Sequence, residues 1–265
     1  MNNIKLRGIY PVSIGTYFSD KSYIENVESV IKSGINIFQF RSKSFSRRRK
    51  NNLLKSIYSL CINNDVQLII NDHYDLVKKY DGIGLHVGSN DIDLLTARRY
   101  LGEEVIIGVS CYNSIENALW AETNGADYIS LGDVYKTKSK ESAIICPDHV
   151  LSKAREILNI PICMIGGINL SNISYVMKYK PDMISMISGI FEKDNPSKEC
   201  KKLISNAEEA GFKPSPPSGG GHGQTPRTGA RTSQFYVKDD TKLAEYIWNK
   251  LKDYVPSDLK SIKPV

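Results

Sequence analysis

Two hydrophobic periods alternate along residues 1–212. Short, near-continuous runs of Val, Ile, Leu and Met occupy 8–14, 35–41, 67–72, 82–88, 105–110, 127–132, 161–166 and 183–188, the pattern of parallel strands covered on both faces. Between most of them, apolar residues recur at helical spacing, over 22–32, 46–62, 92–101, 114–123 and 147–158. Eight strand-like segments in alternation with helices predict an α/β fold, a (β/α)8 TIM barrel. A doubly wound open sheet is the alternative, and the count of eight evenly spaced units favours closure.

The pattern breaks near residue 213. From Lys213 to Phe235 there are five Gly and four Pro in 23 residues, too little apolar surface to offset the entropy of ordering. A linker over 213–236 is expected, followed by an appendage over 237–265 whose Leu243, Tyr246, Ile247, Leu251 and Tyr254 stand at the spacing of one amphipathic helix. Residues 1–212 then form the catalytic domain.

Composition narrows the function classes. The 265 residues carry 35 Lys and Arg against 29 Asp and Glu, a net charge of +6. Of these, 26 basic and 24 acidic groups lie in 1–212, so the barrel itself holds only +2, too little to indicate nucleic acid. No run of 18 apolar residues suggests a membrane span. The first residues enter a strand pattern rather than an apolar leader, which argues against secretion. Five scattered Cys (61, 111, 146, 163 and 200), with no C-x-x-C pair, form neither a disulfide framework nor a zinc spacing, and reduced thiols in the cytoplasm are the plain expectation.

In a barrel the chemistry lies at the C-terminal ends of the strands. The second strand ends in Gln39-Phe40-Arg41-Ser42-Lys43, where alternation sends Gln39, Arg41 and Lys43 the same way: an amide and two cations suited to an anion. The third ends in Asn71-Asp72-His73 and the fourth in His86-Val87-Gly88-Ser89-Asn90-Asp91. Two carboxylates on neighbouring strand ends, near cations, suit Mg²⁺ shared with substrate phosphate, although either Asp could simply cap a helix. Ser110 ends the fifth strand. The sixth leads into a loop with Lys136, Thr137, Lys138, Ser139 and Lys140, a composition suited to a diphosphate. After the seventh come Gly166 and Gly167, which allow close backbone approach to phosphate ahead of an expected helix N-terminus, and the eighth ends in Ile187-Ser188-Gly189. No Ser or Cys has an evident His partner; His86 reads as a packed or hydrogen-bonded strand-end residue. These residues point to an enzyme that handles two phosphorylated groups without covalent catalysis.

The ordered set Q-F-R-S-K, N-D, H-V-G-S-N-D, G-V-S, T-K-S-K, I-G-G-I and M-I-S-G-I resembles thiamine phosphate synthases over residues 8–210. The resemblance implies a transferase that joins a hydroxymethylpyrimidine diphosphate to a thiazole phosphate and releases diphosphate by a Mg²⁺-assisted, dissociative route. It further implies that Gln39, Arg41, Lys43 and Asn71 hold the pyrimidine diphosphate and that Asp72 and Asp91 ligate Mg²⁺. Ser110 and Lys140 would complete the diphosphate cradle as the catalytic pair. Thr137 and Ser139 would contact the thiazole phosphate, together with Gly167, Ile187 and Ser188. The implied partners are phosphorylated small molecules, with a homo-oligomer allowed through exposed barrel faces.

In and beside these motifs the resembled family usually has Gln, His, Pro and Thr where this sequence has Ser89, Tyr112, Asp133 and Ser139. A thiazole tautomerase, or a non-catalytic thiazole phosphate binder, is the alternative; the former typically lacks the carboxylates and keeps the His. The segment 240–263 bears a weak resemblance to part of 6-pyruvoyl-tetrahydropterin synthases, without that family's metal-binding His set, and implies no function.

Overall fold

A computed structural model describes residues 6–14, 19–136 and 144–211. The segments 213–236 and 237–265 lie outside them, as do Thr137, Ser139 and Lys140.

Eight parallel strands alternate with helices, as expected. They are β1 (Gly8–Pro11), β2 (Ile37–Phe40), β3 (Gln67–Asn71), β4 (Gly84–Val87), β5 (Ile107–Tyr112), β6 (Tyr128–Leu131), β7 (Ile162–Ile165) and β8 (Met183–Met186). Each pairs with its sequence neighbours, and β8 returns to β1. A parallel bridge between Val12 and Gln39, with the Ser13 amide donating to the Gln39 carbonyl at 2.9 Å, joins β1 to β2. The described residues form a (β/α)8 barrel.

The helices are α1 (Asp20–Ile31), α2 (Arg47–Asn63), α3 (Tyr74–Val77), α4 (Leu94–Leu101), α5 (Ile115–Thr123), α6 (Asp148–Ile157), α7 (Ile173–Val176), α8 (Ser188–Phe191) and α9 (Pro196–Glu209). Side-chain caps fix where several begin. Ser19, Ser46, Asp93, Ser114 and Asn195 each accept a backbone N–H from the first turn, removing one unsatisfied donor per helix. The helix expected after Gly166-Gly167-Ile168-Asn169 starts at Ile173 and runs four residues. Asn169 and Asn172 fill the intervening turn by donating to the Gly167 carbonyl at 3.3 and 3.0 Å, so no helix N-terminus adjoins that glycine.

Strand alternation builds two apolar regions. Outward residues such as Phe38, Phe40, Leu85, Ile129 and Ile184 join the buried helix faces. Inward residues Tyr10, Ile37, Ile69, Ile106, Tyr128, Cys163 and Met183 fill the barrel. Gly108 makes room for the largest of these: a Cβ there would lie 2.0 Å from Cζ of Tyr128.

The N-terminal ends of the strands are tied by a repeated device. Asp127 precedes β6, accepts the Ile107 amide at 2.8 Å and pairs with Arg98 at 2.7 Å. Asp182 precedes β8, accepts the Ile162 amide at 2.8 Å and pairs with Arg155 at 2.7 Å. Arg98 also donates to the carbonyls of Gly102, Glu103, Val105 and Gly125. Such buried charges tolerate burial because each is paired and hydrogen-bonded.

Candidate active site

The opposite, C-terminal face opens into a cavity of about 310 Å³. Gln39, Arg41, Lys43, Asn71, Asp72, Asp91, Ser110, Gly167, Ile187 and Ser188, ten sequence-predicted positions contributed by six strand ends, all line it.

The carboxylates are its electrostatic centre. Asp72 and Asp91 lie within hydrogen-bonding reach of each other, and burial together with that like-charged neighbour pushes the Asp72 carboxyl up to about 6. Lys43 opposes the shift from 3.5 Å away. Neither Asp caps a helix: His73 sits at the start of α3 without a capping bond, and Asp93 caps α4. Asp91 instead accepts the Gly88 amide at 2.8 Å, folding the 88–91 turn back on itself. No group of three or more acidic, His or Cys ligands occurs among the described residues. Two facing carboxylates fit a hard divalent cation that draws its other oxygens from substrate and water.

A polar chain crosses the barrel beneath them. The Gln39 amide donates to the Tyr10 hydroxyl, which contacts the Tyr128 hydroxyl; Tyr128 meets Nδ1 of His86, and Nε2 of His86 meets Oγ of Ser110, each at 2.9 Å. Ser130 reaches Ser110 at 3.5 Å. The lack of a Ser–His pair expected from the sequence is therefore corrected: β4 and β5 are adjacent, with His86 opposite Gly108, and the two side chains meet. The pair is not a charge-relay device. Burial lowers the His86 imidazole to about 4, leaving it neutral near pH 7, and its second nitrogen faces a tyrosine rather than a carboxylate. Tyr10 and Tyr128 were missed because their role rests on a contact between residues 118 apart in sequence. Cys111 is buried and burial pushes its thiol up to about 12, so it is a packing residue.

Two donors face the cavity without partners among the described residues. Nδ2 of Asn71 and Oγ of Ser185 are both buried and both line it. An unmade buried hydrogen bond is costly unless a ligand makes it. Ser185 sits within β8 between Ile184 and Met186, with no motif around it to mark it.

The glycines after β7 also serve the packing of the fold. Gly166 and Gly167 both have positive φ, and Cβ atoms there would lie 2.6 Å from Cα of Asp133 and 2.7 Å from Cβ of Tyr135. Their bareness admits the β6 loop, whose Val134 and Tyr135 amides donate to Ile165 and Gly166 carbonyls at 3.0 Å. Asp133 is thus accommodated at the cavity wall on a backbone that continues along β7.

Fold and site together define a barrel enzyme with its charged groups gathered at the strand ends. The family model for thiamine monophosphate synthase matches residues 9–190. The thiamine-phosphate synthase of Nitrosomonas eutropha is 39% identical over 72% of this chain and 90% of its own length, and that of Thioalkalivibrio sulfidiphilus is 33% identical over 77% and 97%. Among solved structures, a thiamine phosphate pyrophosphorylase from Pyrococcus furiosus superposes with a TM-score of 0.71 at 28% identity, covering 79% of this chain and 99% of that one. The chain belongs to the thiamine monophosphate synthase family.

Proposed function

We propose that this cavity is where a hydroxymethylpyrimidine diphosphate and a thiazole phosphate are joined, with release of diphosphate, as thiamine-phosphate synthases do. The observation that carries the reading is the meeting, in one cavity, of the Asp72–Asp91 pair with Arg41, Lys43 and Asn71, beside no activated nucleophile. The tautomerase and binder alternatives are not favoured: the relatives at 33–39% identity are synthases, and the carboxylate pair is present.

The reaction needs charge stabilisation more than proton transfer. The bond between the pyrimidine methylene carbon and the bridging oxygen breaks, and its electron pair leaves with diphosphate. The thiazole nitrogen then gives its lone pair to the carbon. No net proton is moved. Bound Mg²⁺, held by Asp72 and Asp91, would supply neutralisation of the charge building on the leaving diphosphate. Arg41, Lys43 and Asn71 orient that diphosphate, and Ser110, with its hydroxyl fixed by neutral His86, donates to it. Gln39, held by Tyr10, lies below. Gly167, Ile187 and Ser188 face the thiazole phosphate. Lys140 as a charge partner of the leaving group, and Thr137 and Ser139 as thiazole phosphate contacts, belong to the same reading.

The catalytic domain in this reading is 1–212, with 213–236 a linker and 237–265 an appendage outside the chemistry; the family match ending at residue 190 supports it. We assign the enzyme to the cytoplasm; no helix among the described residues is long and apolar enough to cross a membrane. The test incubates the full chain, and a form ending at Phe212, with both substrates and Mg²⁺. Thiamine phosphate and diphosphate in equal amounts from both forms are expected. No product from the full chain overturns the function, and product from it alone overturns the domain assignment.

A further inference from the structure

The 88–91 turn has to hold Asp91 close to a carboxylate that repels it. Ser89 and Asn90, at its tip, are exposed, so the core does not clamp it. What reaches it is Tyr112, from the end of β5: its hydroxyl lies 3.0 Å from Oγ of Ser89 and accepts the Ser89 amide at 3.2 Å. Within the turn, the Gly88 amide donates to Oδ2 of Asp91 at 2.8 Å. A Cβ on Gly88 would lie 3.2 Å from that carboxylate oxygen and 3.4 Å from the Tyr112 hydroxyl, so the bare residue seats both groups.

The backbone is bent to make this contact. The β5–β6 register shifts between Ser110 and Tyr112, setting Tyr112 opposite Leu131, and Tyr112 itself has φ +54°. A bulge re-aims a side chain, and a left-handed tyrosine is held there against its own preference.

We propose that Tyr112 is a positioning residue: through Ser89 its hydroxyl clasps the 88–91 turn and keeps Asp91 facing Asp72, ready for a divalent cation. The proposal rests on the metal role given to Asp91 above. Without the clasp, the like charges drive the turn outward and the cation loses a preset ligand.

Mn²⁺ binding to the full chain with inorganic diphosphate, read from the electron paramagnetic resonance of free Mn²⁺, tests this in Tyr112→Phe, Ser89→Ala, their double variant and Asp91→Ala. Tyr112→Phe, which removes both hydrogen bonds to Ser89, is expected to weaken Mn²⁺ binding at least about fivefold, with an unchanged melting temperature. The double variant should be no weaker than Tyr112→Phe. Wild-type affinity in Tyr112→Phe, or additive losses in the double variant, overturns the clasp. If Asp91→Ala loses Mn²⁺ while Tyr112→Phe keeps it, the clasp alone fails; if Asp91→Ala binds Mn²⁺ normally, the metal assignment fails and takes the clasp with it.

Discussion

The two ends of the barrel treat their carboxylates in opposite ways. At the N-terminal face, Asp127 and Asp182 each meet an arginine and a strand amide, so the negative charge is met on every side. At the C-terminal face, Asp72 and Asp91 are turned on each other, and Asn71 and Ser185 keep buried donors unmade. The same side-chain type therefore closes the fold at one end and leaves it electrostatically unfinished at the other. A ligand that brings positive charge and acceptor oxygens completes the second end. Stability and function are separated along the barrel axis.

That separation can be broken from either side. The largest expected change in stability comes from the charge-paired end, where Arg98 Nε is the arginine's one donor nitrogen without a hydrogen-bond partner among the described residues. Asp127→Ala leaves Arg98 buried without its countercharge, a loss of roughly 3–5 kcal/mol. For a domain of this size the melting temperature should fall by about 10 °C in a calorimetric scan, while the folded fraction still makes product. Between the two ends, Gly108→Ala drives a methyl into the Tyr128 ring and should cost about 1–3 kcal/mol in chemical denaturation. It should also lower turnover, because Tyr128 carries the chain that fixes His86 and Ser110.

The smallest effect is a pH dependence. The His86 pKa falls from 6.5 in the unfolded chain to about 4 in the fold, chiefly because burial disfavours the cation. The unfolded state thus takes up a proton first as pH drops, and stability is lost between pH 6.5 and 4. From pH 7 to 5 this costs about 2 kcal/mol. Denaturation midpoints of wild type and His86→Gln at both pH values should differ by that amount; equal slopes would mean that His86 is charged in the fold.

Much of the barrel could be read in advance because its strands are continuous apolar runs and its longer helices hold a clear period. Four-residue helices such as α3, α7 and α8 are shorter than the period needed to read their bounds. Helix α9 went unpredicted although Asn195 and Pro196 open it and Cys200, Leu203 and Ala207 face inward. Gln39, Arg41 and Lys43 were legible because a two-residue period sends them all to one mouth. Ser185 was not, since its meaning depends on which partners are missing. The roles of Gly166 and Gly167 depend on a loop from another strand, which no local pattern reveals.

The comparison of the two ends is tested most directly by Asp72→Asn, with turnover and melting temperature measured on the same preparation at pH 7. The folded-state pKa of Asp72 is raised from 3.8 to about 6, so stability falls as pH rises between those values and the full penalty is present at pH 7. Removing it should keep or raise the melting temperature while lowering thiamine phosphate formation at saturating Mg²⁺ by at least roughly a hundredfold. A variant that melts lower and retains wild-type turnover would contradict the account, making Asp72 a structural carboxylate like Asp127.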